Sequence, residues 1–256
     1  WSNGDPVTAH DFVYSFRRIL NPNLGAQYAS MLHPLKNAKL YHEGKKTWDE
    51  AKVGAEAIDN YTLKITLEHP IPYFLELLNH YSWFPVHRPT LEKFDAFEKM
   101  GTPWTKPGNF VGNGPFQLIE HQINSVIAAG KNQHYWDASS VRLEGIRFYP
   151  IESVDTEERA YRAGFLHLTQ SVSADRIDYL KEKYPDELHF EPYLGTYFYR
   201  FNLKSPPFDD LRVRQAFSLA IDRQRLVEKV LKGGQTPANT FTPPGTGGFY
   251  PPPPFL

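Results

Sequence analysis

The chain has 256 residues, with 28 lysines and arginines against 29 aspartates and glutamates, a formal net charge of -1 at pH 7. This balance excludes a global basic field that would hold nucleic acid by counterion release. No stretch approaches the roughly 20 apolar residues of a membrane-spanning helix. Cysteine is absent, which excludes a disulfide scaffold, a thiolate nucleophile and a cysteine-ligated zinc site. The length exceeds the roughly 100–150 residues of a usual domain, so we expect two lobes or one large domain.

Aromatic residues make up 15% of the chain, and 22 residues are proline. Aromatic side chains without a basic excess suit surfaces that bind organic ligands, but they equally suit an aromatic-rich core. The opening turn over residues 1–6 and the closing segment 250–256, with its four prolines at 251–254, are untypical of domain ends. We therefore expect an internal piece of a longer protein.

The first half of the chain predicts short helices and antiparallel strand pairs. Thr8 and Asp11 approximate a capping box at the start of a helix, which Pro22 brings to an end. The further predicted elements are a helical turn at 27–32, a hairpin of strands 53–58 and 62–67, helices at 73–78 and 90–99, a strand pair at 116–120 and 125–129, and a strand at 144–149.

The second half alternates predicted helices and strands. Ser153 is placed to cap one helix, and Asp209 or Asp210 to cap another. Side chains alternate over 196–202, which predicts a strand with tyrosines on one face. The remaining predicted elements are a strand at 165–168 and helices at 174–183 and 222–232. Helices and strands that alternate along the chain predict a mixed α/β fold.

Residue patterns typical of catalysis or metal binding are missing. The ten histidines show neither H-x-x-x-H nor H-E-x-x-H spacing. There is no G-x-S-x-G turn, and Gly112-Asn113-Gly114 lacks the Lys-Ser/Thr of a phosphate-binding loop. A glycosidase-like pair of acids stays open as a minor alternative, because any chain with 29 acids offers candidates. We predict no catalytic residue, no metal and no cofactor.

Five segments, spread in order along the chain, carry a resemblance to a known family. They are WSNGDPVTAHDF at 1–12, PYF at 72–74, PGNFVGNGPF at 107–116, the stretch 202–223 around PFDDLRVRQAF, and 233–244. Together they resemble the family 5 extracellular solute-binding proteins, in particular the periplasmic oligopeptide-binding proteins of ABC importers. Arg212 and Arg214 in the fourth segment are interpreted first as structural.

The resemblance implies an α/β, periplasmic-binding-protein-like fold of type II in its three-lobed form, incomplete in this chain. Residues 1–87 would form part of the second, small α/β lobe, and residues 88–194 the middle of the first lobe. Residues 195–256 would form an interlobe strand and the truncated start of the third lobe. Because the rest of the third lobe would be absent, we expect the chain by itself to bind peptide poorly.

The resemblance also implies a function without covalent chemistry. The parent protein would be a monomer exported to the periplasm, its signal peptide lying outside this chain. It would capture oligopeptides between hinged lobes and deliver them to an ABC permease at the inner membrane, without cofactor or nucleic acid. Another solute on the same scaffold, such as a dipeptide, a nickel complex, haem or a sugar, stays open as an alternative.

Candidate ligand-binding residues follow from the same resemblance. Tyr28 matches a family tyrosine that touches ligand. The other matching positions are Thr169, Gln170 and Ser171 in a pocket-lining segment, Tyr193, Gly195 and Phe198 where the lobes meet, and Arg200. Thr169 replaces a family tyrosine, and Arg200 stands where well-known peptide binders carry an acid, so the preferred ligand side chains stay open. Ordinary packing is the alternative for the aromatic positions.

Overall fold

The computed structural model describes residues 1–191 and 193–252, which fall into two compact units. The first unit runs from Trp1 to Pro150, and the second begins at Ile151. This division differs from the predicted boundaries at 87/88 and 194/195. A compact unit is not the same as a lobe of the family, however, so the lobe assignment stays a prediction. Residues 253–256, at the end of the segment predicted to start the third lobe, lie outside the described residues.

Helix α1, Ala9–Ile19, begins at the predicted capping box. The backbone N–H of Thr8 donates to Asp11 Oδ2 at 2.8 Å, and the Thr8 hydroxyl donates to the same oxygen at 3.0 Å. The indole N–H of Trp1 also lies 3.4 Å from that oxygen. These donors compensate the carboxylate, which allows Asp11 to be buried at the start of the helix.

The core of the first unit forms against one face of α1. Phe16 is 2% exposed, and its ring meets that of Trp83 edge-on with centroids 5.4 Å apart. Burying a large apolar side chain stabilises a fold by about 1.5–3 kcal/mol. The buried cluster consists of Phe16, Leu20, Leu32, Leu35, Ala38, Tyr41, Trp48, Ala51, Val53, Ala55 and Trp83.

Two antiparallel sheets complete the first unit. Strands β1, Ala55–Asp59, and β2, Thr62–Ile65, form the predicted hairpin with shorter bounds. Strands β3, Phe116–Gln122, β4, Val126–Lys131, and β5, Gly145–Phe148, form a sheet in chain order. The strand pair predicted at 116–120 and 125–129 and the strand predicted at 144–149 are confirmed.

Short helices precede the first strand or lie between the strands of this unit. They are α2, Ala38–His42, α3, Trp48–Ala51, α4, Phe74–Leu77, and α5, Arg88–Lys93, with 3₁₀ turns at Ala29–Leu32, Tyr81–Trp83, Pro103–Thr105 and Ala138–Ser140. The helix predicted over 90–99 is wrong beyond Lys93. Asp95 has a φ of 50°, in the left-handed region, which a right-handed helix does not continue through.

The second unit contains helices α6, Val154–Arg162, α7, Ile177–Lys183, α8, Leu211–Ala220, and α9, Arg223–Arg225, the last continued by a π-helix, Leu226–Leu231. The predicted caps are confirmed. Ser153 Oγ accepts from the Thr156 backbone N–H at 3.3 Å, and an Asp210 carboxylate oxygen accepts from that of Arg212 at 2.8 Å. Asp222 caps α9 in the same way.

The two strands predicted in the second half are not formed. Residues 165–168 and 196–202 form no strand, so these predictions are wrong. A strand requires a neighbouring backbone that pairs with its N–H and C=O groups. Within the described part of the chain, the paired strands lie between residues 55 and 148, and one isolated bridge joins Leu35 to Leu67. Alternation along the sequence is therefore not sufficient to make the segment 196–202 a strand here.

Candidate functional site

Tyr28 belongs to a cluster of three rings, Tyr28, His80 and Tyr81, in the first unit. Its ring centroid lies 5.1 Å from that of His80 and 5.7 Å from that of Tyr81. The rings of His80 and Tyr81 stack at 4.2 Å. Tyr28 is 44% exposed and Tyr81 is 60% exposed, so this ring cluster offers open aromatic faces to a ligand.

Two neighbouring turns hold the ring cluster in place. Tyr28 immediately precedes the 3₁₀ turn Ala29–Leu32, in which Ala29 and Leu32 are buried. His80 Nδ1 accepts from the Ser82 backbone N–H at 3.3 Å, which fixes the second ring. The buried side chains thus anchor the backbone while the rings stay at the surface.

The ring cluster offers hydrogen-bonding hydroxyls without a negative charge. Partial desolvation raises the pKa of the Tyr81 phenol above its usual value, and the neighbouring Tyr28 phenol raises it further. The phenol of Tyr81 is therefore neutral at physiological pH. The cluster can stack on a ligand group and donate a hydrogen bond to it.

The segment Thr169-Gln170-Ser171 lies in the loop after α6. The backbone N–H of Gln170 donates to Glu157 Oε1 at 2.9 Å, which ties the loop to the helix. Thr169 is half-buried, whereas Gln170 and Ser171 are exposed. The hydrogen bond leaves both exposed side chains free to meet a ligand.

The segment 193–200 carries the other predicted residues on its surface. Tyr193 is 91% exposed, and Phe198, at 46%, packs against Phe241 with centroids 4.8 Å apart. A Cβ at Gly195 would lie 2.4 Å from a ring carbon of Tyr193, so glycine allows the Tyr193 ring to lie against the backbone at this position. Arg200 is exposed. Packing therefore accounts in part for Phe198, but not for Tyr193.

The eight predicted residues are divided between the two units. Tyr28 belongs to the first unit, and the other seven belong to the second. Their assembly around one ligand stays a prediction.

The opening turn joins two of the segments that carry the resemblance. The Ser2 backbone N–H donates to the Gly112 carbonyl at 2.8 Å, and the Gly112 N–H donates to Ser2 Oγ at 3.3 Å. Trp1 is 5% exposed, and its ring meets that of His87 edge-on. These contacts give the first and third segments a structural role.

His87 also contacts the opening turn, through Asp5. Its Nε2 lies 3.0 Å from Asp5 Oδ2, and its Nδ1 lies 2.7 Å from the Thr90 hydroxyl. The pKa of the Asp5 carboxyl lies below its usual value for two main reasons. The larger is a hydrogen bond from the Asn3 amide, and the smaller is the contact with His87. Asp5 is therefore a carboxylate at neutral pH and orients the buried imidazole.

Asn132 is a buried hub that sequence reasoning missed. It is 1% exposed; its Nδ2 donates to the Gly114 carbonyl at 2.8 Å, and its Oδ1 accepts from the His134 backbone N–H at 3.0 Å. No motif marks this residue, because its main partner lies 18 positions away. His80 and Tyr81 were missed for the same reason, since their contact with Tyr28 is made only by folding.

The arginines of the fourth segment hold the start of α8. Arg212 forms an ion pair with Asp210 at 2.6 Å. Arg214 donates to the Phe208 carbonyl at 2.7 Å. Both contacts are local, which agrees with their interpretation as structural residues.

Each unit also contains a hollow apart from the predicted ligand residues. The hollow of the second unit has a volume of about 700 Å³ and lies between α7, the helix from 223 to 231 and the loop 234–237. The hollow of the first unit measures about 180 Å³ and is lined by residues that include His10, Tyr14, Arg17 and Arg88.

Two findings in the described parts of the chain concern metal sites and membrane-spanning helices. Among residues 1–191 and 193–252, no group of three or more His, Cys, Asp or Glu side chains is placed to hold a metal ion. Over the same residues, no helix has the length and apolar character needed to span a bilayer.

The fold and these motif contacts are those of a solute-binding protein. The chain belongs to the bacterial extracellular solute-binding proteins, family 5 Middle, whose profile matches residues 1–255. The resemblance stated from the motifs is thereby confirmed.

Relatives of known identity include peptide-binding proteins. The periplasmic oligopeptide-binding protein OppA of Escherichia coli K12 is 41% identical over 251 residues, which are 97% of this chain and 45% of OppA. The structure of the Escherichia coli murein tripeptide binding protein MppA matches with a TM-score of 0.91 at 38% identity, covering 99% of this chain and 48% of MppA. Haemophilus influenzae OppA in complex with the peptide RPPGFSPFR matches with a TM-score of 0.86 at 39% identity, covering 95% and 46%.

These similarities confirm the predicted fold class. The chain spans just under half the length of these relatives, so it contains only part of the three-lobed fold.

Proposed function

We propose that this chain is part of a peptide-binding receptor that serves an ABC importer. The observation that carries the proposal is the similarity to OppA and MppA over nearly the whole chain. Both relatives are named for the peptides they bind. The parent protein would be exported to the periplasm, act as a monomer without cofactor, and pass its ligand to an inner-membrane permease.

The segment 193–201 has a backbone with which an extended peptide can pair. Within the described chain, the backbone of residues 196–201 makes no backbone–backbone hydrogen bond. An extended peptide can pair with such a backbone as an added strand, which provides affinity that depends little on side chains. Exposed rings at Tyr193 and Phe198 would border that strand.

Binding would be coupled to closure of the lobes. Hinge motion of this kind buries the ligand in periplasmic binding proteins, and water in roomy pockets adapts to different side chains. No step in this cycle makes or breaks a covalent bond, so the protein acts as a receptor and not as an enzyme.

A thermal-shift experiment tests the proposal on the protein expressed at the length of its relatives. Peptides that bind only the folded state raise its unfolding midpoint, by an amount that grows with peptide concentration. Mass spectrometry of co-purified ligand identifies the solute. Two results together would favour the alternative ligands over peptides. One is an unfolding midpoint that no mixed peptide pool changes, and the other is a co-purified solute that is not a peptide. Glycoside turnover that depends on one acid would establish the enzymatic alternative.

Arg200 provides a direct test of the predicted ligand contact. Charge reversal in Arg200→Glu replaces attraction for acidic peptide side chains by repulsion. The binding free energy of an acidic peptide should weaken by about 1–2 kcal/mol, which raises its Kd roughly five- to thirtyfold. We expect preference to move from acidic towards basic peptides. Arg142→Glu is the matched control, since Arg142 is also exposed but lies outside the predicted site. Equal effects of both substitutions would remove Arg200 from the site.

A further inference from the structure

The chain contains two Asn-Gly dipeptides, Asn3-Gly4 and Asn113-Gly114. An asparagine followed by glycine is prone to deamidation, because glycine has no side chain that obstructs its own backbone nitrogen. That nitrogen attacks the side-chain amide carbon of the asparagine. The attack depends on how firmly the folded structure holds both groups, and the two dipeptides differ in this respect. The proposed peptide function makes no use of either dipeptide.

Hydrogen bonds hold both reacting groups of Asn3-Gly4. The Asn3 side-chain nitrogen Nδ2 donates to Asp5 Oδ2 at 2.7 Å, and Asn3 Oδ1 accepts from the Asp5 backbone N–H at 3.1 Å. The Gly4 N–H donates to the Trp1 carbonyl at 2.9 Å. Because attack by the Gly4 nitrogen would break these hydrogen bonds, the first dipeptide is protected from deamidation.

Neither form of protection is present at Asn113-Gly114. Asn113 is exposed, and within residues 1–191 and 193–252 no hydrogen bond holds its side chain. In the same part of the chain, the Gly114 N–H has no hydrogen-bond acceptor. A Cβ at Gly114 would meet no atom within 4 Å apart from its neighbours in the chain. The Asn113 side chain is therefore free to bring its amide carbon to the Gly114 nitrogen.

We propose that Asn113 is a site of spontaneous deamidation, with water as the only co-reactant. The Gly114 nitrogen forms a bond to Asn113 Cγ, the Cγ–Nδ2 bond breaks, and Nδ2 leaves as ammonia with the proton from the Gly114 nitrogen. Water then opens the resulting succinimide ring at either of its two carbonyl carbons. One opening gives aspartate. The other gives isoaspartate, in which the backbone runs through Cβ and Cγ of residue 113. No electron transfer takes place.

Isoaspartate would disturb the loop at 112–115, because residue 113 lies between two anchored positions. On one side, the Gly112 carbonyl accepts from the Ser2 backbone N–H at 2.8 Å. On the other side, the Gly114 carbonyl accepts from Asn132 Nδ2 at 2.8 Å. Isoaspartate adds one carbon to the backbone between these two contacts, and both products add a negative charge. The loop therefore cannot keep both contacts in their present geometry once isoaspartate has formed.

Peptide mapping by mass spectrometry tests the proposal on the protein expressed at the length of its relatives and aged in mildly alkaline buffer. The peptide with Asn113 should gain the mass difference between an amide and an acid, and isoaspartyl methyltransferase should label it. The peptide with Asn3 should stay unmodified. Equal rates at Asn3 and Asn113, or an unmodified Asn113, would overturn the proposal.

Gly114→Ala tests the role of the attacking nitrogen without disturbing the fold. The added methyl group meets no atom within 4 Å apart from the neighbours in the chain, but it obstructs the adjacent backbone nitrogen. Deamidation of Asn113 should therefore slow by about tenfold, which corresponds to about 1.4 kcal/mol in the activation barrier. An unchanged rate in Gly114→Ala would contradict attack by this nitrogen.

Amide hydrogen exchange separates the effect of isoaspartate from that of the added charge. The N–H groups of Ser2 and Asn132 donate to the carbonyls of Gly112 and Pro115 at 2.8 Å and 2.9 Å. In aged protein, exchange at one or both amides should accelerate by about five- to tenfold, the effect of losing one hydrogen bond. Asn113→Asp carries the charge without the extra backbone carbon and should exchange as fresh protein does, as should aged Asn113→Ala. Equal exchange at both amides in aged and fresh protein would refute the loosening of the loop.

Discussion

Replacing Asn132 by alanine removes the side chain that fastens the loop at 112–115 to the end of β4. The substitution leaves the Gly114 carbonyl and the His134 backbone N–H without their hydrogen bonds to the Asn132 side chain, which are 2.8 Å and 3.0 Å long. It leaves the apolar core around α1 intact, since Asn132 does not belong to that cluster.

The expected loss of stability follows from these two stranded groups. A buried polar group without a partner costs about 1–3 kcal/mol. Gly114 is half-buried and His134 is exposed, so water reaches part of both groups. We therefore expect a loss near the lower end, about 2–3 kcal/mol in total. With a urea dependence of about 2 kcal/mol per molar, the unfolding midpoint falls by roughly 1 M or more.

Tryptophan fluorescence during urea unfolding measures this loss of stability in the first unit, to which Asn132 belongs. All five tryptophans lie between residues 1 and 136, within the first unit, so their emission follows that unit alone. Asn113→Ala is the matched control, because Asn113 is an exposed amide in the same loop. Its effect is expected within about 0.5 kcal/mol. Equal midpoints for Asn132→Ala and Asn113→Ala would refute the reasoning.

Three further predictions concern the core, a helix cap and acid sensitivity. Phe16→Ala removes a buried ring and lowers the free energy of unfolding by about 3–5 kcal/mol. Urea unfolding should show this loss, and the emission of the newly exposed Trp83 should shift to the red. Unshifted emission would contradict the prediction. Ser153→Ala removes the hydrogen bond from the Thr156 backbone N–H and lowers the free energy of unfolding by about 1 kcal/mol. Amide hydrogen exchange at the start of α6 should accelerate. Unchanged protection from exchange would count against the cap. The Asp5 carboxylate stabilises the fold above its ordinary pKa of 3.8 and loses this effect as pH falls through its lower folded value. Asp5→Asn should therefore lessen the loss of stability as pH falls below 3.8, and parallel pH profiles would oppose this.

Predictions from the sequence succeeded where the determining interactions are local. The capping box of α1 needs only Thr8 and Asp11, three residues apart, and the hairpin of β1 and β2 joins neighbouring segments. The resemblance was also readable, because its motifs are continuous stretches of sequence. The candidate site rests on that resemblance, and its residues had no independent mark in the alternation or composition of the chain.

Predictions failed where a distant partner decides the outcome. The segment 196–202 alternates as a strand does, but a strand exists only where another backbone pairs with it. Likewise, nothing in the sequence links Tyr28 to Tyr81, because the two rings meet only after the intervening segments have folded.

The amino-acid sequence by itself determined the helix starts, the hairpin turns and the family, since these depend on residues within a few positions or on continuous motifs. Only the tertiary structure decided that Asn132 closes the loop at 112–115 and that the rings of His80 and Tyr81 lie beside Tyr28. These contacts join side chains from separate segments, and their geometry is set by the packing of the core between them.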